Sequence, residues 1–189
     1  MKALVIYESM YGNTREIAEA IAAGIGASAD VHIVPTAEAL DALTENPDLV
    51  VIGGPTHVHG MSRPTTRKAA IADASKPGST LRVDPHAHGP GVRDLFESIK
   101  TLDAHAAAFD TRIPKPAWLS GRAAKGIARA LKRCGARMVT APESFFVNKD
   151  ASLVGGETDR AHRWGAHVAE KSRGLEVSTI RDGKTDKAA

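Results

Sequence analysis

The sequence has one cysteine, few aromatic residues and no long apolar run. Cys134 has no second cysteine in the chain to pair with, which excludes an internal disulfide framework and predicts a reducing, cytoplasmic compartment. The apolar runs are a few residues each, far short of the roughly 20 that a membrane-spanning helix needs. Met1 and Lys2 lead directly into a strand-like run, so no signal peptide is expected. Aromatic residues make up 4% of the chain and no nucleic-acid-binding module is visible, which argues against nucleic-acid binding.

The remaining composition is that of a globular protein with an uneven charge distribution. With 189 residues, 42% of them hydrophobic and 25% charged, the chain can bury one full core. Residues 1–60 carry two Lys or Arg against eight Asp or Glu, whereas residues 61–137 carry fifteen against six. Two explanations fit this asymmetry, a set of solvated helix faces or an electrostatic footprint for an anionic partner.

The first sixty residues alternate between strand and helix patterns. Three apolar runs predict buried strands, at residues 2–7, 29–34 and 48–55. Between the first two, Ile17, Ile21 and Ile25 lie on one helical stripe that begins at Asn13. Strands that alternate with helices indicate parallel pairing with right-handed crossovers.

The remainder of the chain adds two strands and more helices. A fourth strand is predicted at residues 104–109, and a fifth in ARMVTAPESFFV, interrupted near Pro142. The last helix is predicted over about 158–172. The sequence therefore predicts an α/β fold with a doubly wound, five-stranded parallel sheet. The domain is expected to span residues 1–172 with an insertion at about 62–90, followed by a flexible tail at 173–189.

Loops after the strands are where a sheet of this kind binds ligands, so loops 8–14, 54–64 and 109–121 should converge. The first loop, ESMYGNT, precedes a helix whose free N–H groups attract anions, and Ser9, Asn13 and Thr14 add side-chain donors. The loop has neither the GxxxxGK[ST] nor the GxGxxG pattern. It therefore indicates a phosphate monoester that is held and not transferred. An ordinary Gly-Asn turn is the alternative.

The motifs in these loops, and their order along the chain, resemble those of a known protein family. S-x-Y-G-N-T after the first strand and G-P-T-H-V-H-G after the third resemble the phosphate and flavin loops of the flavodoxin family, and AFDTR at 108–112 occupies the place of the family's second flavin loop. The resemblance spans about residues 2–170 and implies a 2-1-3-4-5 strand order and non-covalently bound FMN. It implies three groups of cofactor-binding residues: Ser9, Met10, Tyr11, Gly12, Asn13 and Thr14 at the phosphate; Pro55, Thr56, His57, Val58, His59 and Gly60 at one edge of the ring; Phe109, Asp110, Thr111, Arg112 and Trp118 at the other.

Three departures from the family pattern affect the expected chemistry. His57 stands where many flavodoxins have a stacking Trp, and a partly cationic His57 or His59 would favour reduced, anionic flavin. Val58 lies where the family commonly has Gly or Asn, and because β-branched residues disfavour positive φ, weak stabilisation of the one-electron-reduced flavin is expected. Flavodoxins that shuttle electrons are acidic, whereas this chain has a pI of about 9.1. Its predicted helix at 121–134 carries a basic face made of Arg122, Lys125, Arg129 and Lys132.

The sequence gives little support for a metal site or for a catalytic nucleophile. The His57-x-His59 and His86-x-His88 pairs lie in separate loops without a cysteine or carboxylate cluster, so no metal site and no catalytic nucleophile are predicted. The sequence thus predicts an FMN-binding redox protein, either an electron carrier or an oxidoreductase acting with NAD(P)H or a quinone. Its partner is expected to be a redox protein or a small electron donor or acceptor. The alternative is a non-enzymatic binding or regulatory module that has lost its flavin.

Overall fold

The computed structural model describes residues 1–185, which form one parallel sheet with helices on both faces. The strands are β1 Lys2–Tyr7, β2 Asp30–Pro35, β3 Leu49–His57, β4 Gly60–Met61, β5 His105–Arg112, β6 Arg137–Met138 and β7 Glu143–Phe146. The helices are α1 Asn13–Gly26, α2 Ala39–Leu43, α3 Pro64–Ala74, α4 Val92–Ser98, α5 Ala117–Ser120, α6 Ala123–Arg133 and α7 Glu157–Thr185.

The strand order confirms the predicted fold class and corrects its strand count. The order is β2-β1-β3-β5-β6, with β7 also paired to β5 and all of these pairs parallel. The sequence predicts five strands and the structure has seven. The short β4 forms an antiparallel hairpin with the end of β3, and the fifth position is divided between β6 and β7. That division falls at the predicted interruption near Pro142, since Pro142 precedes β7 directly.

Side chains of the central strands point alternately into two apolar layers, one on each face of the sheet. On β1, Leu4 and Ile6 face the layer covered by α2, α4 and α6, whereas Ala3 and Val5 face the layer covered by α1 and α7. Both layers are closed to solvent, which is why the central strands read as nearly continuous apolar runs in the sequence.

Helices α1 and α7 pack so closely that side chains are excluded at two contact points. A Cβ on Gly24 would lie 2.0 Å from the carbonyl oxygen of His162, and one on Gly165 would lie 2.2 Å from that of Ile21. Only glycine permits this approach of the two backbones. The pairing fixes α7 against the helix that follows the ESMYGNT loop.

The structure shows how the first and last helices begin and end and what the predicted insertion contains. The position before α1 is Gly12, at φ 92°, and no side chain caps the helix. Helix α7 runs to Thr185 and does not end near residue 172, and residues 186–189 of the predicted tail lie outside the described residues. The predicted insertion contains α3 followed by a segment without helix or strand up to residue 91. Among residues 1–185, none of the helices has the length and apolarity required to cross a membrane.

Candidate functional site

Three loops meet at the carboxyl edge of the sheet, as the sequence predicts. The cleft between them has a volume of about 390 Å³, within the usual range for small-molecule sites. From the first loop it is lined by Met10, Tyr11, Asn13 and Thr14; from the second by Pro55, Thr56, His57, Val58 and His59; from the third by Thr111, Arg112, Ile113, Leu119 and Ser120.

The first loop presents the start of α1 to this cleft. Gly12 adopts φ 92°, a left-handed conformation that favours glycine, and its N–H donates to Ser9 Oγ at 3.1 Å. Because no side chain caps α1, the N–H groups of its first turn remain available to a ligand. The loop thus provides a helix N-terminus with its partial positive charge.

A hydroxyl pair joins the first loop to the third. Thr14 Oγ1 and Thr111 Oγ1 lie 2.7 Å apart, and both residues are buried. The bond connects the first turn of α1 to the end of β5. Two walls of the cleft are therefore fixed relative to each other.

A fourth loop, residues 147–151, completes the lining and is missing from the sequence prediction. Val147, Asn148, Lys149 and Ala151 line the cleft, and Asn13 Nδ2 donates to the carbonyl of Ala151 at 2.7 Å. The loop follows β7 at the same edge of the sheet as the other three. The polar run NKDAS directly after an apolar strand is the signal from which this loop is predictable.

The second loop is a tight hairpin with an unusual turn. His57 pairs with Gly60 across a two-residue turn, in which Val58 has φ 43° and His59 φ 70°. Turns of this kind usually carry Asn or Gly, since a β-branched residue is strained at positive φ. Val58 thus adopts positive φ against its local preference, and its side chain is 81% exposed. The weak stabilisation of one-electron-reduced flavin that the sequence analysis expects stays a prediction.

Arg112 organises the third loop. Its Nη1 donates to the carbonyl of Lys115 at 2.6 Å and to Ser120 Oγ at 2.9 Å, and its guanidinium lies 5.0 Å from the ring centroid of Phe146. Beyond Ser120, Gly121 forms a bridge to His59, where a Cβ would lie 2.2 Å from the His59 backbone. The second and third loops therefore touch.

Asp110 is fully buried beneath the cleft. Its Oδ2 accepts bonds from Thr56 Oγ1 at 3.0 Å and from the N–H of Ala124, at the start of α6, at 2.8 Å. Thr56 Oγ1 in turn accepts from the N–H of Ala123 at 2.9 Å. Burial raises the pKa of the Asp110 carboxyl above its ordinary value, which the bonds to Ala124, Ser144 and Thr56 partly offset.

Segment 62–91 packs behind the first loop and contributes no lining residue to the cleft. Tyr11 Oη donates to the carbonyl of Ala70 at 2.8 Å, and the N–H of Asp84 donates to the carbonyl of Met10 at 2.8 Å. Met10 also packs with Ala70 and Ala87 in a small apolar cluster. The segment thus packs against the ESMYGNT loop on the side away from the cleft and stabilises its position.

A buried group of charged residues fastens the same segment to β1 and α4. Glu8 Oε2 accepts from the N–H of Val92 at 2.8 Å, and Arg67 binds Ser62 Oγ at 3.2 Å and Asp94 Oδ2 at 2.5 Å. Burial raises the pKa of Glu8, and the nearby Arg67 guanidinium opposes that rise. Glu8 directly precedes the loop that the sequence singles out.

The charges around the cleft have one sign. Its charged lining residues are Arg112 and Lys149, and no Asp or Glu is among the residues that line it within the described chain. Burial, and then Arg67, lower the pKa of His57 below its ordinary value, which favours the neutral imidazole. The surroundings of His57 thus oppose the cationic form that the sequence analysis considers. Residues 1–185 contain no group of three or more His, Cys, Asp or Glu side chains arranged to hold a metal ion.

Six residues that the resemblance assigns to the cofactor do not line the cleft. Phe109 is in the core, with its ring 6.2 Å from that of Phe145, and Gly53 leaves room for it because a Cβ there would lie 2.1 Å from Phe109 Cζ. Trp118 is 83% exposed at the rim. The others are Ser9, Gly12, Gly60 and Asp110, which lie within or beneath the loops that line the cleft.

Comparisons with known proteins agree with this fold. Residues 4–68 match the family model described as a flavodoxin domain. A flavodoxin from the domain Archaea superposes with a TM-score of 0.61 at 23% identity, over 92% of this chain and 99% of the other. A flavodoxin from Pseudomonas aeruginosa gives 0.63 at 16% identity, over 92% and 99%. A WrbA-like flavodoxin from Agrobacterium tumefaciens gives 0.56 at 22% identity, over 92% and 98%.

Among curated proteins, no match was found. The family model covers the first two loops, and the structural matches extend the likeness over nearly all of the chain. The resemblance to the flavodoxin family is therefore confirmed: the first third of the chain matches the flavodoxin domain, and the fold is that of the flavodoxins.

Proposed function

We propose that the cleft binds FMN without a covalent bond and that the protein transfers electrons through it. The observation that carries the proposal is the meeting of four loops around one cleft at the start of α1, with basic and without acidic lining residues. A flavin mononucleotide has an anionic phosphate and a flat, mostly apolar ring system, and the cleft offers an environment for each part.

The first turn of α1 is the proposed phosphate site. Its N–H groups have no side-chain cap, and Asn13 and Thr14 lie beside them with polar side chains. A helix N-terminus favours a bound phosphate by its free donors and its dipole. Ser9 supports this geometry by accepting the N–H of Gly12. Lys149, from the fourth loop, adds a cation to the same cleft.

The isoalloxazine ring is proposed to lie between the hairpin and the third loop. Pro55, His57 and Val58 would contact one edge, and Thr111 and Leu119 the other. A neutral His57 offers a ring nitrogen as hydrogen-bond acceptor, which a stacking Trp does not. Phe109 and Asp110 are proposed to shape the site from beneath, and Trp118 to border its opening.

The bound flavin supplies the redox chemistry, and the protein supplies binding, orientation and electrostatics. The basic lining favours anionic electron donors or acceptors, among which NAD(P)H and acidic redox proteins are the classes to test, with quinones as neutral acceptors. The same site would serve an oxidoreductase that acts on such molecules or a protein that only carries electrons.

The visible absorbance spectrum of the purified protein, before and after incubation with FMN, tests the proposal. Flavin absorbance that stays with the protein through gel filtration is expected. A colourless protein that also fails to retain added FMN would contradict it and favour a binding or regulatory module without flavin. Oxidation of NADH or NADPH, measured with and without a quinone, then separates a reductase from a carrier.

A further inference from the structure

The opening of the cleft is bordered by apolar side chains in water. Val58 is 81% exposed, Trp118 83% and Leu119 46%, and these are three of the five large hydrophobic residues that the described chain exposes. Val58 is in the hairpin turn, whereas Trp118 and Leu119 are in the single turn of α5. Such a concentration of exposed apolar side chains around one opening indicates an interaction site.

The segments that carry these side chains meet beside the cleft, and two exposed lysines belong to the same segments. The bridge between His59 and Gly121 joins the hairpin to the end of the third loop, and α6 packs on β4 where a Cβ on Gly126 would lie 3.3 Å from Met61 Cε. Lys115 lies two residues before α5 and Lys125 lies in the first turn of α6, and both are exposed. We call Val58, Lys115, Trp118, Leu119 and Lys125 the mouth surface.

The stretch of chain that carries most of the mouth surface is basic. From Thr111 to Pro142 the chain has eight Lys or Arg and no Asp or Glu. Neither Lys115 nor Lys125 forms an ion pair among the residues that the structure describes. The fourth loop contains an acid, Asp150, whose carboxylate accepts bonds from the N–H and hydroxyl of Ser152.

We propose that the mouth surface docks on a lipid bilayer that contains anionic lipid, with the opening of the cleft against the headgroups. Tryptophan favours the interface between water and hydrocarbon, and lysines near an anionic leaflet add electrostatic attraction. Peripheral membrane binding strengthens with the apolar area buried in the interface and with the attraction of basic residues to anionic lipid, and this surface offers both.

The shape of the surface favours a bilayer over an acidic protein. Val58 and Trp118 protrude from two separate turns, each with more than four-fifths of its surface in water. Protruding tips insert among lipid headgroups without a complementary partner, whereas a protein interface buries its anchors in matching pockets. Docked in this way, the cleft would open towards molecules dissolved in the membrane.

Sedimentation of the full chain with lipid vesicles tests the docking. We expect the protein to sediment with vesicles of equal parts phosphatidylcholine and phosphatidylglycerol, and to remain in solution with phosphatidylcholine alone. Added salt should reduce the binding because it screens the lysines. Trp118 and Trp164 are the two tryptophans, so a blue shift of the fluorescence that is lost in Trp118→Phe would locate the contact at the mouth surface.

Variants at the surface should weaken binding, while matched variants elsewhere should not. Lys115→Gln and Lys125→Gln are each expected to reduce vesicle partitioning about fivefold, and Trp118→Ser roughly tenfold. The controls are Lys2→Gln and Leu40→Ser, which change an exposed lysine and an exposed leucine outside this surface. All these positions are exposed, so the variants should keep the wild-type circular dichroism spectrum.

Three results would overturn the proposal. Absence of sedimentation with both vesicle types would reassign the surface to an acidic protein partner. Equal binding to neutral vesicles would remove the role of anionic lipid. Equal loss in the control variants would remove the role of this surface. The assay needs no flavin, so failure of docking and failure of FMN binding are separate results.

Discussion

Thr14 and Thr111, 97 positions apart in sequence, place their hydroxyl oxygens 2.7 Å apart beside the cleft. One belongs to the first turn of α1, at the proposed phosphate site, and the other to the end of β5, at the proposed ring site. Because both side chains are buried, neither hydroxyl has water as a ready substitute. The bond therefore fixes the distance between the proposed phosphate site and the proposed ring site in the folded protein.

Replacing these threonines with valine should reveal a coupled pair. Thr14→Val and Thr111→Val each leave a buried hydroxyl without its partner, so each should lower the free energy of unfolding by about 1–2 kcal/mol. The double variant should cost about 1 kcal/mol less than the sum of the two, because both groups of the bond are removed together. Urea unfolding of the four proteins measures this cycle. Strict additivity would show that the two residues act independently.

Val58→Gly should stabilise the protein. Val58 has φ 43°, where a side chain with Cβ costs roughly 1–2 kcal/mol, and its exposed side chain makes little compensating contact. We expect the free energy of unfolding to rise by about 1 kcal/mol. Glycine removes the strain, but it also increases the conformational entropy of the unfolded chain, which offsets part of the gain. Val58→Ala, which keeps a Cβ, should give a smaller gain. A glycine variant less stable than wild type in thermal or urea unfolding would show that the turn is unstrained.

Glu8 should make stability depend on pH. Burial raises its folded-state pKa above the ordinary value of 4.5, so the folded protein holds this proton more tightly than the unfolded chain does. Its contribution is fully present below pH 4.5 and is lost as the pH rises through the raised folded-state pKa. Relative to Glu8→Gln, the wild type should therefore lose free energy of unfolding over that window.

Urea unfolding of wild type and Glu8→Gln across the acidic and neutral range measures this difference. Asp94 and Arg67 are present in both proteins, so the difference between the two profiles measures the contribution of the Glu8 carboxyl together with its coupling to these neighbours. Parallel pH profiles would mean that Glu8 ionises in the folded protein as it does in the unfolded chain.

Arg112→Leu should loosen the third loop. The variant removes the bonds from Nη1 to the Lys115 carbonyl and to Ser120 Oγ, and it leaves the loop without its main polar tether. Chymotrypsin should then cleave faster after the exposed Trp118, which limited proteolysis followed by mass spectrometry detects. Arg63→Leu, an exposed arginine before α3, is the matched control and should be cleaved at the wild-type rate. Equal rates for both variants would assign the order of this loop to other contacts.

The strands and helices of the sheet and its covering layers could be predicted from the local pattern of apolar residues. The apolar runs of β1 and β3 and the stripe of Ile17, Ile21 and Ile25 on α1 report burial directly, because each element buries a fixed face. The meeting of the three loops followed from parallel topology alone. Even the interruption at Pro142 was readable, since proline cannot donate a bond to a strand ladder.

Features that depend on distant contacts were not accessible. The turn conformation of Val58 contradicts its local preference and is held by the bridge between His59 and Gly121. Phe109 is expected at the cofactor from its place at the end of the predicted fourth strand, but its side chain points into the core, where it packs against Phe145 and Gly53 leaves room for its ring. The fourth loop is different, because the polar run NKDAS after an apolar strand does mark it in the sequence, and only its bond from Asn13 to Ala151 depends on the fold. Tertiary context decided the first two.

Comparison of FMN with riboflavin in a binding titration is the sharpest test of the proposed phosphate site. The two molecules share the ring and differ by the phosphate, which is proposed to lie at the first turn of α1 beside Asn13 and Thr14. Protein freed of bound flavin should quench FMN fluorescence at saturation and bind riboflavin at least about a hundredfold more weakly, the loss of about 2.7 kcal/mol of charge-assisted hydrogen bonds. Equal affinity for the two flavins, or no binding of either, would contradict it.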